Sequence, residues 1–356
     1  MKVRLPFYKY ENPLKLFFHK LSRWEYWPFQ IVYIPIYFLW AYYSVKAKTI
    51  FFFNASNPAI RNGGFIMDSK IEIYGIIPQQ YYPKTELIKE GTPFGEVLQA
   101  AEASGLDFPL VAKPDMGLRG TAVKKINTPA ALKAYAEKAD FDYVIQDLIP
   151  FANEVGIFYV RYPDEKEGRI TGIVAKEFLM VRGDGTSTIE SLVRKNPRHE
   201  MQLKALRKEY GPRLKEILPL GEILNLVPYG NHARGAKFMD MTNWITPKLT
   251  EVINEMCLQI PGFYFGRLDV MYSNFKELEK GNFLLVELNG ASSEPTHIYD
   301  PKHSLFFAWK ELARHIRYMF EISLINNKKG IPFLTYKEGI RQYRLDSAVK
   351  KKIASF

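Results

Sequence analysis

Phe263-Tyr264-Phe265-Gly266-Arg267-Leu268-Asp269 and Phe283-Leu284-Leu285-Val286-Glu287-Leu288-Asn289 decide the reading of this chain. Each is an apolar run that ends in charged or amide side chains. Runs of this length, rich in aromatic and branched residues, read as strands. The polar stretch from Ser273-Asn274-Phe275-Lys276 to Gly281-Asn282 reads as the loop between them. The pair is therefore expected to form adjacent antiparallel strands that present Asp269, Glu287 and Asn289 on one surface, beside Arg267. Hard oxygen ligands next to a cation suit Mg²⁺ carrying nucleotide phosphates. Taken alone, the same residues also fit a solvated hairpin with ordinary surface charges.

A third element upstream favours the first reading. Phe108-Pro109-Leu110-Val111-Ala112-Lys113-Pro114 reads as a buried strand ending in a lysine. It runs into Asp115-Met116-Gly117-Leu118-Arg119-Gly120-Thr121, a loop with two glycines. Backbone N–H groups of such a loop can cradle phosphates while the lysine neutralises them.

The lysine strand, the glycine loop, the Arg-x-Asp strand and the Glu-x-Asn strand, in that order, resemble the ATP-grasp superfamily, specifically its carboxylate–amine or thiol ligases. The resemblance covers roughly residues 65–320. It implies an α+β fold with two α/β lobes and nucleotide held between them: an N-lobe over 65–150 and a C-lobe with the metal site over 151–325. A hydrophobic helical segment (1–64) precedes the lobes and a basic tail (326–356) follows.

The resemblance also implies roles. Met67-Asp68-Ser69-Lys70, with Ile76-Ile77-Pro78 and Tyr82-Pro83-Lys84-Thr85, is similar to the entry segment of D-alanine–D-alanine ligases, which makes Lys70 a phosphate contact. Lys113 matches the lysine on the α- and β-phosphates, and Gly117 and Gly120 the covering loop. Tyr143 to Ile149 resembles the hinge strand that reads adenine, placing Gln146 and Ile149 there. The family has an acidic residue where Gln146 stands. Glu154 matches the ribose carboxylate, allowing a one-residue insertion. Asp269, Glu287 and Asn289 match the ligands of one or two Mg²⁺, with Mn²⁺ as a substitute, and Arg267 the arginine that meets the transferring phosphoryl group. The implied reaction joins a carboxylate to an amine through an acylphosphate, with small-molecule or peptide-like substrates. An ATP-grasp kinase and a nucleotide-binding membrane scaffold are the alternatives, because fold alone does not fix chemistry.

Two polar islands remain. Arg182-Gly183-Asp184-Gly185-Thr186-Ser187-Thr188-Ile189 is similar to a segment of cyanophycin synthetases; physically it is a glycine turn with Thr188 capping a helix from Ile189. Pro228-Tyr229-Gly230-Asn231-His232-Ala233-Arg234-Gly235 has the glycine spacing of a P-loop but continues Ala236-Lys237-Phe238, so the Gly-Lys-Ser/Thr ending is absent. In the resembled ligases a loop here faces phosphates and acceptor, which gives Asn231 a nucleotide role, Arg234 a catalytic one and His232 a lesser one.

Composition agrees with an intracellular enzyme. Apolar residues at 47% support a large core, and the single cysteine, Cys257, excludes an intrachain disulfide. Cys257 falls in a helical pattern with Leu249, Val252, Ile253, Met256 and Ile260, so it reads as core. Thr246-Pro247, Thr128-Pro129 and Thr92-Pro93 read as helix starts. The net charge of +11 comes without a nucleic-acid module, so no nucleic-acid partner is expected. Oligomeric state is left open.

Trp27 to Val45, WPFQIVYIPIYFLWAYYSV, carries no charge. About 20 such residues can span a bilayer as a helix, although Pro28, Gln30 and Pro35 weaken that reading and the aromatic density suits an interface. Three readings stand: a span, an interfacial anchor, or a helix packed on the enzyme body. The expected location is cytoplasmic, either free or on the cytoplasmic face of a membrane.

Overall fold

The computed structural model describes residues 13–118, 120–227 and 237–356. The chain forms two units. The larger comprises Ile36–Ala175, Asp240–Ile298 and Trp309–Phe356; the smaller takes residues up to Pro35, Lys176–Met239 and Tyr299–Ala308.

The larger unit holds a four-stranded antiparallel sheet and most of a five-stranded one. Strands β1 (Thr85–Ile88), β2 (Leu110–Pro114), β3 (Lys124–Ile126) and β4 (Tyr143–Asp147) form a sheet in the order β1-β4-β2-β3. Helices Phe94–Ala103 and Pro129–Lys138 cover it, burying Val97, Ala101, Leu132 and Tyr135 against Leu110, Ala112 and Ile145. The C-terminal helix Tyr336–Ser355 reaches the same core through Ile353, and Phe356 packs on Tyr135 and Phe141.

The second sheet has the order β11-β10-β5-β6-β9, with β5 at Asn153–Val160, β6 at Arg169–Glu177, β9 at Lys237–Asp240, β10 at Phe265–Tyr272 and β11 at Phe283–Asn289. Period-two alternation sorts its side chains. One face sends Val155, Ile157, Ile173, Leu268, Val270 and Leu285 into a core closed by helix Pro247–Leu258, where Cys257 is fully buried as its pattern implied. On the opposite face Phe158 and Phe265 lie under Phe52, Phe53, Met319 and Phe320. Phe51, Phe52 and Phe53, ahead of the expected N-lobe, are therefore core material. Asn57 ties this stretch down: its side-chain Oδ1 accepts from the Tyr264 and Phe265 amides, and its Nδ2 donates to the Gly63 and Phe265 carbonyls.

The smaller unit carries a hairpin of β7 (Leu179–Arg182) and β8 (Ile223–Val227) under short helices, around Leu179, Ile189, Leu192, Leu203, Leu206 and Leu226. Thr188 caps helix Ile189–Arg194 by accepting from Ser191. Asp184 organises the preceding turn, accepting from the Thr186 and Ser187 amides. Glu25 and Arg198, both buried, form an ion pair in this unit.

Thr128 and Thr246 cap their helices as expected. Thr92 does not: Pro93 takes the N-cap position, and the Thr92 hydroxyl donates to the Lys89 carbonyl. The apolar run from Trp27 is not one helix. It breaks at Tyr33 into Phe29–Val32 and Ile34–Ala47. The 14-residue helix rises roughly 21 Å, short of the ~30 Å hydrocarbon layer. Among the described residues no helix is long and apolar enough to cross a membrane, which corrects the spanning reading. Ile36, Trp40, Tyr43 and Ala47 of that helix lie on the body of the fold, with Trp40 against Phe52, Phe53 and Phe65 and Tyr43 stacked on Phe320.

Candidate active site

Strands β10 and β11 pair antiparallel with Arg267 opposite Asn289 and Asp269 opposite Glu287. Cross-strand partners share a face, and so do residues two apart on one strand. All four side chains therefore stand together, as the sequence predicted. Glu154 lies on the same face, opposite Met271 on β5, two residues before Gly156. A Cβ on Gly156 would lie 2.9 Å from Asp269 Oδ1 and 3.0 Å from Arg267 Cδ, so only glycine leaves room for this cluster.

Arg267 folds back onto Asp269, donating from Nε to Oδ1 at 2.7 Å and from Nη2 to Oδ2 at 2.9 Å; Nη1 donates to the Glu294 carbonyl at 3.3 Å. Burial alone pulls the Arg267 pKa down, but the adjacent charges of Asp269, Glu287 and Glu154 outweigh it and raise it.

After Asp269 the register slips, because Val270 pairs with Leu285 and Val286 is the extra residue. A bulge leaves its residue out of the ladder. The Val286 carbonyl accepts instead from the Tyr74 hydroxyl at 2.8 Å and from Lys113 Nζ at 3.2 Å. Lys113 also donates to Tyr74 Oη at 3.2 Å. The bulge thus places the lysine at the end of β2 against the strand that carries Glu287. Burial, with help from the neighbouring Lys70 charge, lowers the Lys113 pKa to about 7; Glu287 partly opposes this.

Lys70 opens helix Lys70–Tyr74, which Ser69 caps by accepting from Glu72. Asp115, just past β2, holds that helix start: its carbonyl accepts from the Lys70 amide and its carboxylate from the Ile71 amide. Lys70 Nζ donates to the same carbonyl at 3.2 Å and lies 3.5 Å from Glu287 Oε1. Gly117 sits over this pair, where a Cβ would meet Lys70 Nζ at 3.0 Å. Gly120 has φ +78°, a left-handed turn with open space around it.

The hinge candidates lie at the other end of β4. Gln146 is buried and donates to Thr85 Oγ1 at 2.6 Å, so its side chain is committed to the neighbouring strand. Ile149 follows β4, half-buried, in the connection to β5. Asn231, His232 and Arg234 lie outside the described residues.

Sequence reasoning missed Tyr74, Asp115 and Asp68. Asp68 lines a ~10 Å³ cavity with Lys70, Tyr74 and Glu287, space for about one water. Burial raises its pKa to about 6, against the pull of Lys70. Its only sequence signal was the Asp-x-Lys spacing to Lys70.

Two carboxylates and an amide, carried by Asp269, Glu287 and Asn289, form a hard oxygen set that fits Mg²⁺, an ion that keeps several positions for water and substrate phosphate. Among the described residues no three His, Cys, Asp or Glu side chains gather into an all-protein cage. Asn289 Nδ2 is buried without a hydrogen-bond partner, and a ligand oxygen on this face would satisfy it.

No protein-family model matches the chain. It is similar to the bifunctional glutathione biosynthesis protein of Streptococcus mutans, at 25% identity over 217 residues, covering 54% of this chain and 28% of that protein. Among solved structures it is similar to a bifunctional glutathione synthetase from Pasteurella multocida (14% identity, 68% of this chain and 35% of that one, TM-score 0.39). It is also similar to the D-alanine–D-alanine ligase of Bacillus anthracis (14%, 74% and 69%, TM-score 0.42) and to the VanG D-Ala:D-Ser ligase of Enterococcus faecalis (16%, 71% and 61%, TM-score 0.41). The chain spans about a third or less of the two glutathione proteins it matches. In sequence, the chain resembles an ATP-grasp ligase of glutathione biosynthesis.

Proposed function

We propose that this chain is an ATP-dependent ligase that joins a carboxylate to an amine through an acylphosphate, converting MgATP to ADP and phosphate. The observation that carries this reading is the face on which the Asp269–Glu287 and Arg267–Asn289 pairs stand together, with Lys70 3.5 Å from Glu287. Residues 65–150 and 151–325 serve as the two nucleotide-binding lobes. Substrates are small-molecule or peptide-like acids and amines.

In this reading Lys70 and Lys113 neutralise phosphate charge and the Gly117–Gly120 loop covers it with backbone N–H groups. The backbone at Gln146 and Ile149 meets adenine, Glu154 the ribose hydroxyls, and Asn231 the nucleotide. Asp269, Glu287 and Asn289 would hold one or two Mg²⁺, or Mn²⁺, which supply charge neutralisation at the β- and γ-phosphates. A substrate carboxylate oxygen attacks the γ-phosphorus, and the bond to the ADP oxygen breaks. The amine then attacks the acyl carbon, phosphate leaves with the bonding pair, and the nitrogen gives up a proton. Arg267, released from Asp269, stabilises charge on the transferring group and then on the tetrahedral intermediate; Arg234 assists it.

Turnover of ATP against pools of amino acids, short peptides and carboxylic acids, with hydroxylamine present, tests the proposal. Hydroxamate with ADP and phosphate is the expected result. A stable phosphorylated product without hydroxamate moves the assignment to a kinase, and absence of turnover across the pools overturns it.

A further inference from the structure

The run without acidic residues from Tyr26 to Met67 leaves an apolar surface that the proposed reaction does not use. Helix Ile34–Ala47 is apolar on both sides. Its inner side is spent on Phe52, Phe53 and Phe320, yet Phe38 remains 74% and Val45 79% exposed, with Tyr37 and Tyr42 on the same stripe. Positions 38, 42 and 45 follow helical spacing, so this is a continuous face and not scattered exposure. A water-solvated helix would carry polar groups there.

The face continues past the helix end. Ile50 is exposed, and an open cavity of about 480 Å³ follows, lined by Val45, Lys48, Thr49, Ile50, Leu334 and Tyr336. Tyr336 is 71% exposed. Cations border the apolar patch: Lys46, with its ammonium 4.6 Å from the Tyr42 ring, then Lys48 and Lys337, all exposed. The acid at this rim, Glu338, is taken up by the capping box with Thr335. Exposed aliphatic and aromatic side chains rimmed by lysines, with acids absent or engaged, complement an anionic bilayer interface. A helix too short to span needs only one such face to lie in the headgroup layer.

We propose that the outer face of helix Ile34–Ala47, with the adjoining Lys48–Ile50 and Tyr336–Lys337 rim, docks this protein on anionic phospholipid membranes. Phe38 and Val45 enter the acyl boundary, Tyr42 and Tyr336 sit at headgroup level, and Lys46, Lys48 and Lys337 meet lipid phosphates.

The test is flotation of the full chain with vesicles of phosphatidylcholine alone and of phosphatidylcholine mixed with phosphatidylglycerol. Wild type is expected to float with the mixed vesicles only, and to be released by added salt. Phe38→Glu/Val45→Glu, both at exposed positions, should abolish flotation with its melting temperature unchanged. Lys46→Gln and Lys337→Gln should each weaken partitioning about fivefold. Failure of wild type to float, equal flotation with neutral vesicles, or flotation of the double variant equal to wild type overturns the proposal. So does a self-associated wild type that the double variant turns into monomer, because a second copy would then be the occupant. ATP turnover without vesicles is read separately and is expected to be the same in all four proteins.

Discussion

Lys113 is a buried amine whose contacts are a phenol and a carbonyl, with Lys70 adding a like charge nearby. Burial lowers its pKa to about 7, whereas the unfolded chain holds the proton up to the ordinary lysine range near 10.5. Between those values the unfolded state binds a proton that the native state does not, so stability rises with pH across that window. Urea unfolding from pH 7 to 10 should show this rise. Lys113→Met should flatten it, retain or improve stability at pH 7, and remove ATP turnover. Asp269→Asn is expected to lower turnover at least a hundredfold, and to cost about 1–3 kcal/mol because Arg267 keeps one of its two acceptors. Steady-state kinetics beside thermal melts separate the two effects. The site residues legible in the sequence were those whose relation follows from strand pairing: Asp269, Glu287, Asn289 and Arg267. Tyr74 and Val286 were not legible, because their contact joins positions more than 200 residues apart through a one-residue bulge that no local pattern signals.

Elements whose ends depend on neighbouring residues were readable; those whose fate depends on distant cover were not. Thr128, Thr188 and Thr246 cap helices because the acceptor and the amide it satisfies are three residues apart. In the Trp27–Val45 run Pro28 and Pro35 argued against one continuous helix, but nothing local said what covers it. A helix apolar all round looks the same whether lipid or Phe52 and Phe320 lies beneath it, so the split between its packed and open faces was decided by tertiary contacts. Within the site sheet, β5 offers a direct test. Gly156→Ala should force Asp269 or Val174 aside, since the new methyl would lie 2.9 Å from each. A cost of about 1–3 kcal/mol is expected. Turnover should fall further than that cost explains, measured as kcat at temperatures where the variant is fully folded.

For the whole molecule, the stretch just ahead of the ATP-grasp resemblance is structural. Phe52 and Phe53 lie in the core beside Phe158 and Phe265, and the Asn57 side chain is bonded to Tyr264, Phe265 and Gly63. Deleting residues 1–54 strips buried aromatics that include Phe51, Phe52 and Phe53, each worth about 3–5 kcal/mol by truncation. The product should be insoluble or fail to melt cooperatively, not be a soluble, inactive enzyme. Circular dichroism of the refolded product decides this. The lone cysteine offers a view of the same integrity. Cys257 is fully enclosed beneath the sheet, and burial holds its thiol well above the usual range, so neither access nor thiolate is available in the native state. Its modification by a bulky disulfide reagent therefore clocks openings of the larger unit. The chain carries a built-in stopwatch for its own unfolding: labelling at saturating reagent should proceed at the opening rate, and nucleotide that stabilises the site should slow it.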